Sequence, residues 1–210
     1  GLILANYPNR DGRIANGVGL DTPQSVYEVL HLLAAEGYEL GHLPDSSADL
    51  IKALRAGPTN AGWQGRKSTV FLSLANYQAA FAKLPDALRE DITKTWGAAS
   101  ADPMFDGSDF RLPILTYGNV AVGVQPARGY NIDPKATYHA PDLVPPHNYL
   151  AFYIWLRQQW QSHAVLHFGK HGNLEWLPGK ALALSSTCYP EVILGPMPHF
   201  YPFIVNDPGE

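Results

Sequence analysis

Short continuous apolar runs alternate along this chain with stretches in which apolar residues recur every three or four positions. Leu2 to Ala5 is the first such run, as expected of a strand buried on both faces. A long polar loop, 6–21, follows it. Thr22-Pro23 then supplies a helix start, with Thr as the cap and Pro at the first helical position. Val26, Val29, Leu30 and Leu33 form one apolar stripe, and Gly37 ends the helix. Ser46 or Ser47 opens a second helix carrying Leu50, Ile51 and Leu54, stopped by Gly57-Pro58. The turn-rich stretch 57–69 reads as mobile. Two more helices are expected over 73–83 and 86–96, the second capped by Asp86, with a loop at 97–109 after them.

Two strands, 110–116 and 119–125, flank Tyr117-Gly118, and Val120, Val122 and Val124 alternate in the second. Residues 126–147 hold five of the 18 prolines and cannot be regular helix. From Asn148 to Trp160 the sequence is apolar almost all round, which describes a helix buried on several sides. His163 to Phe168 reads as a strand broken by Gly169, and Phe203 to Val205 as a last strand. The alternation predicts an α/β fold: a mixed, largely parallel sheet flanked by helices, a Rossmann-like three-layer arrangement with long loops. It also divides the chain into an α/β half, 1–109, and a second, 110–210. Open sheets of this kind place ligands where strands run into helices.

Composition narrows the classes. The 210 residues carry a net charge of −4 and 16% charged side chains, so no basic surface for nucleic acid is implied. One cysteine, Cys188, excludes an internal disulfide and a four-cysteine zinc site. No apolar run reaches the roughly 18–20 residues that span a bilayer, so no membrane partner is expected. The opening Gly1-Leu2-Ile3 lacks Met, and the turn Asn206-Asp207-Pro208-Gly209-Glu210 stops the chain abruptly. Both ends suggest an internal fragment of a longer protein.

The densest chemistry lies in HFGKHGNLEWLPG, 167–179, directly after a buried strand. His167, His171 and Glu175 offer imidazole and carboxylate groups, which suit cobalt, zinc, nickel or iron and also move protons. By spacing alone HxxxH is a weak motif, and a structural polar cluster with Lys170 as a solvated charge explains it equally well. Asn16-Gly17-Val18-Gly19 lies near a helix start but matches no phosphate-binding loop. Arg10 and Arg13 in the same loop suit carboxylate-bearing ligands. Trp155 and Trp160 read as core, and His139 and His147 as exposed residues of the Pro-rich segment. Cys188 has no neighbouring His that would make it a nucleophile.

Five phrases occur in one order: NYPNRDGRIANGVGLDTPQSV (6–26), NVAVGVQPARGY (119–130), YHAPDLVPPHNYLAFYIWL (138–156), HFGKHGNLEWLPGK (167–180) and NDPGE (206–210). On these the chain resembles the family of large subunits of aerobic cobaltochelatase (CobN) and, more distantly, of magnesium chelatase. The resemblance is thin between 57 and 109. It implies a tetrapyrrole-binding, metal-inserting subunit of an ATP-dependent cytoplasmic enzyme of cobalamin biosynthesis. Cobalt would be the substrate ion, and the ring a tetrapyrrole like hydrogenobyrinic acid a,c-diamide. ATP would be used by an AAA-type ATPase subunit and its companion, not bound here, and the fragment alone would be inactive. The resemblance casts Glu175 and His171 as catalytic groups and His167, His171 and Glu175 as metal ligands. Arg10, Arg13 and Lys170 would hold the ring. Two other readings compete: a scaffold segment of a magnesium chelatase-like subunit, and a free-standing metal-dependent hydrolase.

Overall fold

A computed structural model describes residues 1–6, 11–17, 19–129, 140, 142–169, 174–179 and 184–202, with Arg13 and Glu175 as backbone only. Its main sheet contains β1 (Leu2–Leu4), β4 (Ile114–Tyr117), β5 (Val120–Val124), β6 (Val165–Phe168) and β7 (His199–Phe200). Their order is β4-β5-β1-β6-β7. β5, β1, β6 and β7 run parallel, and β4 is antiparallel to β5 across the Tyr117-Gly118 turn. The first strand therefore lies at the centre, with Leu2 opposite both Val122 and Leu166. The expected mixed, largely parallel α/β sheet is present.

Alternation along the strands sorts side chains onto two faces. Leu2, Leu4, Val122, Val124 and Phe168 meet α1 (Thr22–Ala35) and α2 (Ser47–Ala56) through Val26, Leu30, Leu50 and Leu54. Ile3, Ala121 and Val165 face the opposite way, onto α5 (His147–Ile154) and α6 (Tyr189–Leu194). That second core continues into a small antiparallel pair, β2 (Phe71–Ser73) with β3 (Asp109–Arg111), and the helices α3 (Leu74–Phe81) and α4 (Asp86–Trp96). Leu72, Tyr77, Ile92 and Phe110 are buried there.

Several boundaries differ from the sequence reading. Asp21, not Thr22, caps α1: its carboxylate accepts the Gln24 N–H at 3.0 Å, which puts Thr22 and Pro23 in the first turn. Pro85 precedes α4, so Asp86 is its first residue. The expected strand 110–116 is broken at Leu112-Pro113, where Pro can offer no N–H, and its halves serve two sheets. Tyr189–Leu194 forms a helix that the apolar pattern, only six residues long, did not signal. The long helix from Asn148 changes pitch. Trp155–Gln159 is π-helical, closed by Trp160 N–H on the Trp155 carbonyl at 2.8 Å. A π turn sets residues five apart above one another, and the two indoles stack at 5.2 Å and 19°. The strand expected over 203–205 lies outside the described residues.

The stretch 57–69 is pinned rather than loose. Thr59 is buried and donates to Asp11 Oδ1 at 2.7 Å. Asn60 Nδ2 donates to the Gln125 carbonyl at 3.0 Å, and Trp63 Nε1 to the Pro103 carbonyl at 3.0 Å. Arg66 reaches Asp11 Oδ2 at 2.5 Å. Turn residues marked it as irregular, but irregular backbone whose own side chains are bonded to three other segments is not mobile for that reason.

Candidate functional site at the carboxyl edge of the sheet

β1, β5 and β6 end side by side, and their continuations part. The chain leaves β1 toward the α1 face and leaves β5 and β6 toward the α5 and α6 face. A crevice at the carboxyl edge follows from that divergence. Two glycines let its walls close up. A Cβ on Gly17 would collide with the Thr22 side chain and lie 3.2 Å from the Gly169 Cα. At Gly169, with φ +141°, a Cβ would collide with the Ala5 methyl. The loops after β1 and β6 thus touch only because both positions lack side chains.

The β1 loop is folded back by its own polar groups. Asn6 Oδ1 accepts the Ala15 N–H at 3.1 Å, and the buried Thr22 hydroxyl donates to the Ala15 carbonyl. A depression of about 450 Å³ lies over Ile14 to Asn16, Leu20, Asp21 and Pro23. Asp21 already serves the first turn of α1 there, so that helix start offers an anion little. Asp11, at the start of the short 3₁₀ turn Asp11–Arg13, anchors the other side. Burial raises its carboxyl. The hydrogen bonds from Thr59 and Arg66, with the Arg66 and Arg55 charges, outweigh that and hold it below the ordinary value.

Beyond β5 the wall is buried and polar. Gln125 is fully buried: its N–H donates to the Leu4 carbonyl at 2.9 Å, and its Oε1 accepts from Tyr153 Oη at 2.8 Å. Its Nε2 finds no hydrogen-bond partner among the described residues. Arg128, 4% exposed, donates to the Ala140 carbonyl at 3.2 Å and to the Trp176 carbonyl. That guanidinium ties the Pro-rich segment to the 3₁₀ turn Leu174–Trp176, whose middle residue is Glu175. At the start of α5, Asp102 Oδ2 accepts the Asn148 N–H at 2.8 Å, while Asn148 Oδ1 is buried without a partner among the described residues.

The sequence-derived candidates distribute as follows. His167 is the third residue of β6, within the strand expected to end at Gly169, and is fully buried. Glu175 and Arg13 lie on short 3₁₀ turns at this edge, with their side chains outside the described residues. Arg10, Lys170 and His171 lie outside the described residues altogether. His147 is buried, not exposed: Tyr77 Oη donates to its Nδ1 at 2.6 Å, and its Nε2–H donates to the Gly97 carbonyl at 3.0 Å. Asn6, Gln125, Arg128 and Asn148 were missed as candidates, although all but one are polar residues adjoining apolar runs in the phrases quoted above. Buried polar residues at strand and helix ends were the available signal.

Among the described residues no group of three or more His, Cys, Asp or Glu gathers in ligating positions. The donors present are paired imidazoles and amides, and a complete metal cage is not among them. No helix among the described residues is long and apolar enough to cross a membrane.

An open, mostly parallel α/β sheet with a glycine-lined, polar carboxyl edge defines the class of fold. The match to known proteins is specific. The chain belongs to the CobN/Magnesium Chelatase family, whose model matches residues 1–210. It is 59% identical over 209 residues to the aerobic cobaltochelatase subunit CobN of Sinorhizobium sp, covering 100% of this chain and 16% of that protein. A magnesium-chelatase subunit of Rhodobacter capsulatus is 32% identical over 210 residues, covering 100% of this chain and 17% of that protein. The solved catalytic subunit of cobaltochelatase from Mycobacterium tuberculosis superposes with a TM-score of 0.82 at 39% identity. That superposition covers 98% of this chain and 18% of that one. The chain thus spans about a sixth of the length of these relatives.

Proposed function

We propose that this chain forms part of the wall in which the large subunit of a cobaltochelatase holds a tetrapyrrole while cobalt enters it, a step of cobalamin biosynthesis in the cytoplasm. The cobalt branch is favoured over the magnesium branch by identity, 59% against 32% over nearly the same residues. The observation that supports the site is the meeting of the β1 and β6 loops at Gly17 and Gly169, beside the short turns Asp11–Arg13 and Leu174–Trp176.

Metal insertion requires that the ion lose waters, that two pyrrolic protons leave, and that the macrocycle be held during both. Glu175 and His171 have the chemistry to take the protons, and His167, His171 and Glu175 to ligate the incoming ion. Arg10, Arg13 and Lys170 suit the acidic side chains of a corrin-type ring. Arg128, through the Trp176 carbonyl, would fix the backbone on which Glu175 rides. The chain has no nucleotide loop of its own, so ATP turnover falls to an AAA-type ATPase subunit and its companion.

Glu175→Gln keeps the shape of the side chain and removes its charge. In the full-length subunit with its ATPase partners, chelation should fall at least about tenfold, or roughly 1.4 kcal/mol of barrier, with ring affinity and melting temperature little changed. Unchanged chelation with a stable protein would make Glu175 a bystander, and unfolding would make the turn a structural cluster.

A further inference from the structure

His167 projects from β6 onto the α5 side of the sheet, the side of its i−2 neighbour Val165. Its ring is fully buried, and among the described residues neither Nδ1 nor Nε2 has a hydrogen-bond partner. Buried imidazoles are almost always partnered, so two orphan nitrogens on one ring require a reason. The adjacent edge strand β7 supplies one. His199 pairs with Val165 in register, and its ring centre lies 6.0 Å from that of His167 at 90°. Its Nε2 is also buried and without a partner among the described residues. Tyr201 stacks on His199 at 6.4 Å and 11° and meets His167 edge-on at 5.7 Å, which fixes the orientation of both rings.

We propose that His167 and His199 form a two-imidazole station that holds a borderline-soft divalent cation, Co²⁺, at the β6–β7 edge of the sheet. Two imidazoles on one ion, each nitrogen about 2.1 Å from it, place their ring centres about 5–6 Å apart. Imidazole nitrogen selects cobalt, nickel or zinc over magnesium, which takes oxygen ligands. Two ligands make a weak, open site, as suits an ion that must leave. His199 is only half-buried, and its neighbour Phe200 is 56% exposed, so the pair lies just inside the sheet's outer edge, within reach of hydrated ions.

The choice of Co²⁺ among such ions rests on the cobalt reading above; the station itself rests on the two rings. The test uses the full-length subunit without ring or ATPase partners, titrated with Co²⁺ alone and followed by visible d–d absorption and calorimetry. His199→Phe and His167→Phe keep an aromatic ring and remove the nitrogens. Each should weaken Co²⁺ binding at least tenfold, with no Mg²⁺ binding by any form. Equal Co²⁺ affinity in wild type and variants overturns the proposal. Should a variant fail to fold, X-ray absorption of the cobalt-loaded wild type decides: two imidazoles in the first coordination sphere support the station, and fewer overturn it. Because the readout is ring-free affinity, its failure leaves the Glu175 test of chelation standing, and the reverse holds too.

Discussion

Tyr77 and His147 join two distant parts of the chain through one proton. The phenol donates to Nδ1, so the imidazole carries its own proton on Nε2 and passes it to the Gly97 carbonyl. Tyr77→Phe leaves that buried Nδ1 without a donor and should cost about 1–3 kcal/mol in urea melts. Burial lowers His147, and the Gly97 bond and Asp102 only partly oppose this. With the folded value below the ordinary 6.5, the unfolded chain binds the proton first as pH falls. His147 thus contributes stability above about pH 6.5 that drains away as the solution acidifies toward the folded value. Wild type should lose stability between pH 7.5 and 5.5, and His147→Gln should flatten that part of the profile. A variant with the same pH slope as wild type would discount this residue. In the sequence, His147 follows two prolines and has no periodic pattern before it, so nothing local shows that it opens a buried helix.

At the scale of elements, strands and amphipathic helices were legible wherever one residue pattern matched one environment. β1, β5 and α1 follow directly from apolar runs and stripes. Legibility failed where two sheets share a stretch, as at Leu112-Pro113, and where pitch changes, as at Trp155–Gln159. The near-continuous apolar surface of α5 did foretell burial on several sides: Tyr149 to Tyr153 and Leu156 are almost wholly enclosed. Trp155, 4% exposed and stacked on Trp160, lies at the π turn itself. Trp155→Ala should therefore cost roughly 3–5 kcal/mol. A loss below about 1 kcal/mol in equilibrium melts would mean that Trp160 and its neighbours collapse into the space.

For the whole molecule, the candidate site was legible as chemistry and less so as geometry. HFGKHGNLE announces ligands and bases, and the apolar run before Gly169 puts its first histidine in a strand, but no pattern in it shows that Glu175 belongs to a turn. The role of 57–69 was legible least, because Asp11, Thr59, Asn60, Arg66 and Gln125 meet across segments far apart in sequence. Arg66→Met keeps most of the aliphatic stem and removes the charge that holds Asp11. Amides of 57–67 and of the 11–13 turn should then exchange hydrogen faster, with little change around β5 and α5. Uniform protection in wild type and variant would show that Thr59 and Asn60 suffice.

The central place of β1 has a consequence for the order in which this protein is assembled. Leu2 must pair with Val122 on one side and Leu166 on the other, both far downstream. Among the described residues the first strand gains its first neighbour only when β5 is made, and before then α1 and α2 are the described elements that can cover its apolar side chains, on one face. Closing so long a loop costs entropy before any pairing repays it, and contacts this distant slow folding. β1 and its two helices should therefore wait as a half-covered unit until β5 and then β6 complete the sheet. The crevice at its carboxyl edge is bounded by the ends of all three strands and cannot exist earlier.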